Sequence, residues 1–160
     1  MVAERHEKRP CSVVWFKRDL RISDHEPLYR AVHRGPVICL YILEPELYHQ
    51  PDADAIHFQF ILQSLSALNE LLCERGSRLI LRIGDAVDVL EHLRRETGFK
   101  RLYSHEETGN GFTYQRDMKV KDWCATQNIP WHEYRQFGVV RALKDRNGWA
   151  KQWRELMARP

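Results

Sequence analysis

The feature that most constrains this chain is a nearly continuous apolar run, Pro36–Leu43 (PVICLYIL). A strand with apolar side chains on both faces has to be covered on both faces, which is typical of a parallel sheet. Parallel neighbours need crossover connections, usually helices, so the rest of the chain is expected to alternate strands with helices. The run therefore predicts the central strand of an α/β fold.

Other short apolar or β-branched segments fit this pattern as strands, and amphipathic segments separate them. The predicted strands are Ser12–Phe16, Pro36–Leu43, Arg78–Ile83, Arg101–Ser104 and Pro130–Tyr134. Five units of this kind predict an α/β fold with a doubly wound, five-stranded parallel Rossmann-like sheet and helices on both faces.

Capping residues indicate where the helices begin. Asp24 is expected to cap a short first helix, Asp52 or Asp54 a second after a proline-marked loop, and Asp85 a third. In the second helix four apolar residues recur at helical spacing, and we expect this stripe in the core rather than in a cofactor site. The stripe consists of Ile61, Leu65, Leu68 and Leu72. Two more helices are predicted at Phe112–Gln127 and Trp149–Met157.

Composition restricts the class of protein. The 160 residues suit one compact domain, and a net charge of +3 does not by itself predict a nucleic-acid partner. No apolar run reaches the ~20 residues of a membrane span, and the charged start does not resemble a signal peptide. The four cysteines form no Cys-x-x-Cys pair, so we expect reduced thiols in a cytoplasmic protein.

Two loops are candidates for a ligand site, because doubly wound sheets bind ligands beyond the carboxyl ends of strands where the strand order reverses. Lys17–His25 holds three cations and two carboxylates, which either pair with each other or face an anionic ligand. His105–Gly111 offers carboxylates, a hydroxyl and glycine backbone, suited to a polar heteroaromatic ring or to a plain capped turn.

Several familiar catalytic motifs are missing from the sequence. Gly109-Asn110-Gly111 lacks the third glycine of a dinucleotide loop, since Tyr114 stands there, and no P-loop motif exists. His105-Glu106 has Gly109 where a zincin places its second histidine, and no Gly-x-Ser-x-Gly elbow occurs. We therefore expect no metal site and no catalytic residue in this chain.

The segment Val13–His25 (VVWFKRDLRISDH) closely resembles the opening strand and loop of the DNA photolyase and cryptochrome family, Trp-Phe-Arg-x-Asp-Leu-Arg-x-x-Asp-Asn. Lys17 and His25 replace the commoner Arg and Asn. The resemblance continues through Leu40-Tyr41-Ile42, Phe60–Leu72, Gly84-Asp85 and Tyr114–Asp117, and so covers residues 12–160.

The resemblance implies a division of the chain: a flexible segment at 1–11, the photolyase-type α/β domain at 12–135 and the start of an interdomain connector at 136–160. In this family a following helical domain holds FAD and the DNA lesion, so we expect a piece of a longer flavoprotein. An optional antenna chromophore (a folate, a deazaflavin or FMN) would bind the α/β domain. Its expected contacts are Phe16, Lys17, Arg18, Asp19, Tyr41, Leu43, His105, Glu106, Glu107 and Thr108.

Three functions stay open at the level of the sequence. The first is the N-terminal domain of a photolyase that repairs pyrimidine dimers in DNA with light. The second is a cryptochrome-type blue-light receptor without repair activity, and the third is a free-standing small-molecule-binding module. As a structural alternative to pigment binding, Asp19 and Arg21 could pair across the interface with the helical domain. An exposed surface at Trp149, Trp153, Leu156 and Met157 could then meet that domain or form a dimer.

Overall fold

A computed structural model describes residues 10–141 and 145–158 of the chain. Strands and helices alternate along most of it, as the apolar pattern predicts. In chain order the elements are β1 (Ser12–Phe16), α1 (Glu26–Val32), β2 (Val37–Leu43), α2 (Pro45–Tyr48), α3 (Ala55–Cys73), β3 (Leu79–Ile83), α4 (Ala86–Thr97), β4 (Arg101–His105), α5 (Gly111–Thr126), β5 (Trp131–Tyr134) and α6 (Trp149–Met157).

The five strands form one parallel sheet in the order β3-β2-β1-β4-β5. The chain first builds outward from β1 to β3, then crosses back to the other side of β1 and continues with β4 and β5. This order confirms the doubly wound α/β fold predicted from the sequence. It also places the reversal between β1 and β4, where their carboxyl ends diverge and leave room for a ligand.

Helices cover both faces of the sheet, and each face has its own core. On one face Trp15 and Leu40 pack with α4 and α5 through Leu90 and Val120. On the other face the alternating residues of the same strands pack against α1 and α3; among them are Val14, Phe16, Tyr41, Leu65, Leu68 and Leu72. Full burial of one such aliphatic or aromatic side chain contributes about 1.5–3 kcal/mol to the free energy of unfolding. All five residues of β1 are buried, so this central strand stabilises the sheet strongly.

Two local predictions were wrong. The cap of α1 is His25, whose Nδ1 accepts the Leu28 N–H at 3.1 Å, and not Asp24. Asp24 instead adopts a positive φ of 49°, outside the extended conformation that a capping residue needs. The proline-marked stretch before α3 was expected to be a loop but contains the short helix α2, while Asp54 caps α3 as expected.

The predicted division of the chain into segments is not tested by the fold. Of the flexible segment expected at 1–11, residues 1–9 lie outside the described residues. Within the connector expected at 136–160, residues 142–144 and 159–160 also lie outside them, and α6 begins after Gly148. Among the helices that the structure describes, none has the length and apolar character required to cross a membrane.

Candidate functional site

A cleft of about 720 Å³ opens at the carboxyl edge of the sheet, over the ends of β1 and β2. The amino-terminal half of α3 forms one wall, α2 and the loop before α3 close one end, and the start of α5 reaches in from the reversal point. Its lining combines aromatic, aliphatic and charged side chains: Trp15, Phe16, Lys17, Arg18, Leu20, Arg21, Tyr41, Ile42, Glu44, Leu47, Tyr48, Asp52, Ala53, Ile56, His57, Phe60, Ile61, Ser64, Glu107, Asn110 and Arg116.

The floor of the cleft is an indole ring flanked by cations. Trp15 is 1% exposed, with the Lys17 ammonium 4.5 Å and the Arg116 guanidinium 4.8 Å from its ring centroid. Lys17 also lies 5.2 Å from the ring of Trp131, in β5. Cation–π attraction is strongest where water is excluded, so this buried arrangement fixes the floor.

Arg116 organises the polar end of the cleft although it is only 6% exposed. Its guanidinium donates to Glu44 at 2.6 Å, to Asp117 at 2.9 Å and to Glu107. Burial opposes the charge of Arg116, but these three carboxylates more than offset it, and the pKa of the guanidinium is raised. Burial also raises the pKa of Glu44, against the opposing effect of Arg116.

Lys17, which also lines the cleft, belongs to a second part of the same ionic network. Its ammonium is 3.1 Å from Asp117 and 4.0 Å from Glu133. Burial lowers the pKa of Lys17 despite these carboxylates. For Asp117 burial acts to raise the pKa, but Lys17 and Arg116 outweigh it and the pKa is lowered. Arg141, beyond β5, joins the network by donating to Asp117 at 2.7 Å and to Glu133 at 3.1 Å.

Asp19 is the centre of a buried hub that connects the first loop, α1 and the second loop. Its Oδ1 accepts the Lys17 backbone N–H at 2.8 Å, and its Oδ2 lies 2.6 Å from His105 Nδ1. His25 Nε2 is 2.7 Å from the same oxygen but is not aligned for a hydrogen bond. Burial acts to raise the pKa of Asp19, yet the contacts with His105 and His25 hold it far below its usual range.

The hub also has the residue types of a metal site, because ligand atoms of Asp19, His25 and His105 all lie within 4.8 Å of one another. However, His25 Nδ1 accepts the Leu28 N–H, so the proton of a neutral imidazole sits on Nε2. A metal ion would need a lone pair on that same Nε2. The contacts thus favour a hydrogen-bonded hub over a metal site. That these three residues bind no metal ion stays a prediction, and the hydrogen bond of His25 Nδ1 supports it.

The structure divides the predicted site residues between two places. Five of them line the cleft, namely Phe16, Lys17, Arg18, Tyr41 and Glu107. Asp19, His105, Glu106 and Thr108 lie at a separate cavity of about 30 Å³, which Lys17, Arg18 and Glu107 also line. Leu43 lines neither space and packs against the core between the sheet and α3.

Two more sequence expectations changed. Leu65, Leu68 and Leu72 are buried as expected, and Ile61 packs against the same core but also lines the cleft, which the sequence did not predict. Asp19 is 2% exposed and engaged within the chain, which disfavours its pairing across a domain interface, while the same pairing for Arg21 stays a prediction. The first loop instead forms the internal ionic network that its mixed charges also allowed.

Most of the cleft's other residues were not predicted, although two of them, Glu44 and Arg116, had a weak signal in the sequence. Glu44 directly follows β2, just as Lys17 follows β1, and could have been found by the same strand-end rule. Arg116 belongs to the segment Tyr114–Asp117 that carries the family resemblance. Tyr48, Asp52 and Asn110 lie on α2 or in loops, where periodicity gives no signal.

Comparison with known proteins agrees with this geometry. The DNA photolyase family model matches residues 12–144. The deoxyribodipyrimidine photo-lyase of Agrobacterium fabrum is 44% identical over 114 residues, which make up 69% of this chain and 23% of that protein. Cryptochrome-1 of Arabidopsis thaliana is 32% identical over 120 residues, 74% of this chain and 18% of that protein.

Solved structures give the same result for the fold. A bacterial class III photolyase from Agrobacterium tumefaciens superposes with a TM-score of 0.78 at 27% identity, covering 92% of this chain and 30% of that one. An archaeal photolyase from Sulfolobus tokodaii gives a TM-score of 0.74 at 25% identity, covering 90% and 34%. This chain therefore spans between 18% and 34% of the length of these relatives. It belongs to the DNA photolyase and cryptochrome family, of which it is an N-terminal α/β domain.

Proposed function

We propose that this domain binds a light-harvesting pigment in the cleft at the carboxyl edge of its sheet. The observation that carries the proposal is the cleft itself, whose 720 Å³ falls in the range of sites for drug-sized ligands. Aromatic rings at Tyr41, Tyr48 and Phe60 provide walls for a planar ring system, and Glu44 and Arg116 provide polar groups at one end. The Sulfolobus tokodaii photolyase was described with two FAD molecules and an implied novel light-harvesting cofactor.

The role of this chain in such a site is to hold and orient the pigment, while the pigment absorbs the light. Arg18 and Arg21, whose side chains are 62% and 36% exposed, place positive charge at the rim, where a phosphate or carboxylate tail would emerge. The buried cations and carboxylates fix the floor without taking part in bond making. We accordingly propose that the isolated chain is not catalytic.

For the longer protein we propose light-driven repair of pyrimidine dimers, with FAD and the damaged DNA held by a helical domain outside this chain. The 44% identity to a deoxyribodipyrimidine photo-lyase favours this activity. The alternative is a cryptochrome-type blue-light receptor without repair, supported by the matches to Cryptochrome-1 and to the blue-light photoreceptor PHR2 of Arabidopsis thaliana. Light-dependent rescue of ultraviolet-treated, repair-deficient bacteria by the full-length protein separates the two.

The helical domain is also the partner that we propose for an exposed apolar surface at the end of the described chain. Phe137, Val139, Trp149, Trp153 and Met157 are each 40–54% exposed, and Leu156 is half-buried. Trp149 Nε1 donates to the Gly138 carbonyl at 3.1 Å, which holds α6 beside the stretch after β5. A dimer through the same surface is the competing proposal, and sedimentation of the domain and of the full-length protein distinguishes them.

Pigment retention is the direct test of the proposed function. The purified chain is incubated with FMN, a deazaflavin and a reduced folate, passed through gel filtration, and scanned from the near-ultraviolet to the visible. We expect one pigment to co-elute near one-to-one occupancy with a shifted absorption band. Failure to retain any of them would contradict pigment binding by this domain and favour a purely structural role for it. The cytoplasmic location is proposed from the sequence alone and is tested by cell fractionation.

A further inference from the structure

The side chain of Arg141 joins three elements of the fold although it lies outside the sheet, in the stretch that follows β5. Its Nε donates to the Glu107 carbonyl at 2.9 Å, and one terminal nitrogen donates to the same carbonyl. That nitrogen also donates to Asp117 in α5 at 2.7 Å, and the other terminal nitrogen donates to Glu133 in β5 at 3.1 Å. Four N–H groups of one guanidinium are therefore bonded to the loop after β4, to α5 and to β5.

The contact with the Glu107 carbonyl fixes a direction as well as a distance. A guanidinium is planar and rigid, so two of its N–H groups meet one oxygen only from a narrow range of angles. A lysine ammonium in the same place would be a point charge without that constraint. Burial opposes the charge of Arg141, but Glu133 and Asp117 outweigh it, and the pKa of the guanidinium is raised. Arg141 thus stays charged and holds the backbone at Glu107 in one position.

The backbone at Glu107 belongs to an irregular loop, so the sheet does not fix its position. Residues 106–110 form neither helix nor strand. The Glu107 side chain is nevertheless buried, with Oε1 accepting from Arg18 Nε at 2.9 Å and Oε2 accepting from Arg116. Both of these arginines line the cleft. The carboxylate that holds two arginines of the cleft is therefore carried by backbone that Arg141 holds.

Asp117 gives Arg141 a second connection to the cleft. Its Oδ2 accepts from Arg141 at 2.7 Å, while its Oδ1 accepts from Arg116 at 2.9 Å and from Lys17 at 3.1 Å. Arg116 and Lys17 are the two cations that flank the ring of Trp15 at the floor of the cleft. Arg141 therefore shares a carboxylate with both of them.

The start of the same stretch contacts the other loop at the reversal point. With its amide oxygen oriented toward the first loop, Gln136 accepts from Arg21 Nη2 at 2.9 Å, and the opposite orientation would set two donors against each other. Gln136 and Phe137 also line the cavity of about 30 Å³ beside Asp19. Residues 136–141, which we call the strap, therefore contact the loop after β1 at one end and the loop after β4 at the other.

We propose that Arg141 is a positioning residue for the cleft and that the strap completes the ligand site. By holding the Glu107 backbone, Arg141 keeps the Glu107 carboxylate where it binds Arg18 and Arg116. The inference rests on the proposed function in one respect, because the ligand whose affinity it sets is the pigment. The positioning of Arg116 itself is a property of the ligand-free chain, so it is tested separately.

The first test measures how Arg141 affects binding. Dissociation constants are determined for the pigment that the wild-type chain retains among FMN, a deazaflavin and a reduced folate. Arg141→Gln and Arg141→Lys should each weaken binding about tenfold or more, the size of a lost hydrogen bond to a charged group. Arg135→Gln is the matched control and should bind as the wild type does, since Arg135 also follows β5 but is exposed and does not line the cleft.

The lysine variant separates position from charge, because it keeps the positive charge and loses the planar fork. If Arg141→Lys binds the pigment as tightly as the wild type does, charge alone suffices and the positioning role is overturned. Equal affinity of all the variants overturns it as well. Far-ultraviolet circular dichroism and the thermal midpoint verify that each variant is folded, and Arg141→Lys carries the test if Arg141→Gln does not fold.

The second test needs no ligand. Exchange of the Arg116 Nε–H with solvent is measured by nitrogen-15 NMR, and the resonance is assigned by its loss in Arg116→Lys. In the wild type this N–H donates to Asp117 at 3.1 Å from a side chain that is 6% exposed, so it should exchange slowly. Both Arg141 variants should speed the exchange about tenfold or more, and Arg135→Gln should leave it unchanged.

The two tests distinguish failure of this inference from failure of the proposed function. If the wild-type chain retains no pigment, the proposed function fails, and the exchange of Arg116 decides whether Arg141 positions it. If pigment is retained but the exchange of Arg116 is the same in the wild type and in both Arg141 variants, the positioning role is overturned while the proposed function stands.

Discussion

Replacing Asp19 with asparagine should destabilise the fold more than any other single change of one heavy atom in the first loop. Asp19 accepts the Lys17 N–H and contacts two buried histidines at 2.6 and 2.7 Å. An asparagine keeps the first bond but turns an NH2 group toward two imidazole nitrogens, and the proton on His25 Nε2 then faces another donor. Loss of charge-assisted bonds in a buried site costs about 2–4 kcal/mol.

Urea unfolding followed by tryptophan fluorescence measures this cost. For a urea dependence of about 2 kcal/mol per molar, the midpoint of Asp19→Asn should fall by about 1–2 M. Asp24→Asn is the matched control, because its side chain is fully exposed in the same loop and should shift the midpoint by less than about 0.5 M. If the two variants unfold at the same urea concentration, the hub does not stabilise the fold as described.

The difference in unfolding free energy between wild type and Asp19→Asn should depend on pH in a direction set by the pKa of Asp19. The pKa of Asp19 lies below its ordinary value of 3.8 in the folded protein, since contacts with His105 and His25 outweigh burial. A carboxylate with a depressed pKa contributes its full stability above the ordinary value and loses it as the pH falls toward the folded value. The difference between wild type and Asp19→Asn should therefore be constant near neutral pH and shrink below about pH 4. A difference that grows on acidification would contradict this assignment of charge.

Two further predictions concern α6 and the thiols. A Cβ at Gly138 would collide with the indole of Trp153, so Gly138→Ala should release α6 and speed its amide hydrogen exchange. Gly111→Ala is the control, because a Cβ at Gly111 meets open space and should leave the exchange of α6 unchanged. Equal exchange of α6 in the two variants would refute this packing. Burial raises the pKa of Cys124 to about 12, while Cys73 is exposed. A thiol reagent at pH 8 should therefore label Cys73 first and Cys124 only on unfolding, as measured by mass spectrometry. Equally fast labelling of the two thiols would contradict the burial of Cys124.

The sheet could be predicted because its signals are local. Pro36–Leu43 is apolar on both faces, and the structure makes its core the strand β2, between β1 and β3. The loops after β1 and β4 were candidates because ligands bind beyond the carboxyl ends of strands where the strand order reverses, and the observed order places the reversal between these two strands. The helix α2 was not predicted, since four residues are too few for a helical period to be recognised.

The candidate site was only partly predictable, because its key contacts join residues far apart in sequence. His25 takes the place of the expected cap Asp24 through a local bond to Leu28, but it also lies 2.7 Å from Asp19 and packs against His105. Arg116 is buried by partners 72 and 9 residues away, Glu44 and Glu107. An arginine on a helix is ordinarily solvent-exposed, so the sequence alone favours an exposed position for Arg116.

The central claim, that a pigment occupies this cleft, is tested most directly by filling it. Ser64 lines the cleft from α3, and Ser66, two residues later, is exposed on the same helix. Dissociation constants of the retained pigment are measured for Ser64→Trp and Ser66→Trp. The account predicts that Ser64→Trp weakens binding at least about a hundredfold, equivalent to about 2.7 kcal/mol, while Ser66→Trp binds as the wild type does. Equal affinity in the two variants would show that the pigment binds elsewhere and would contradict the account.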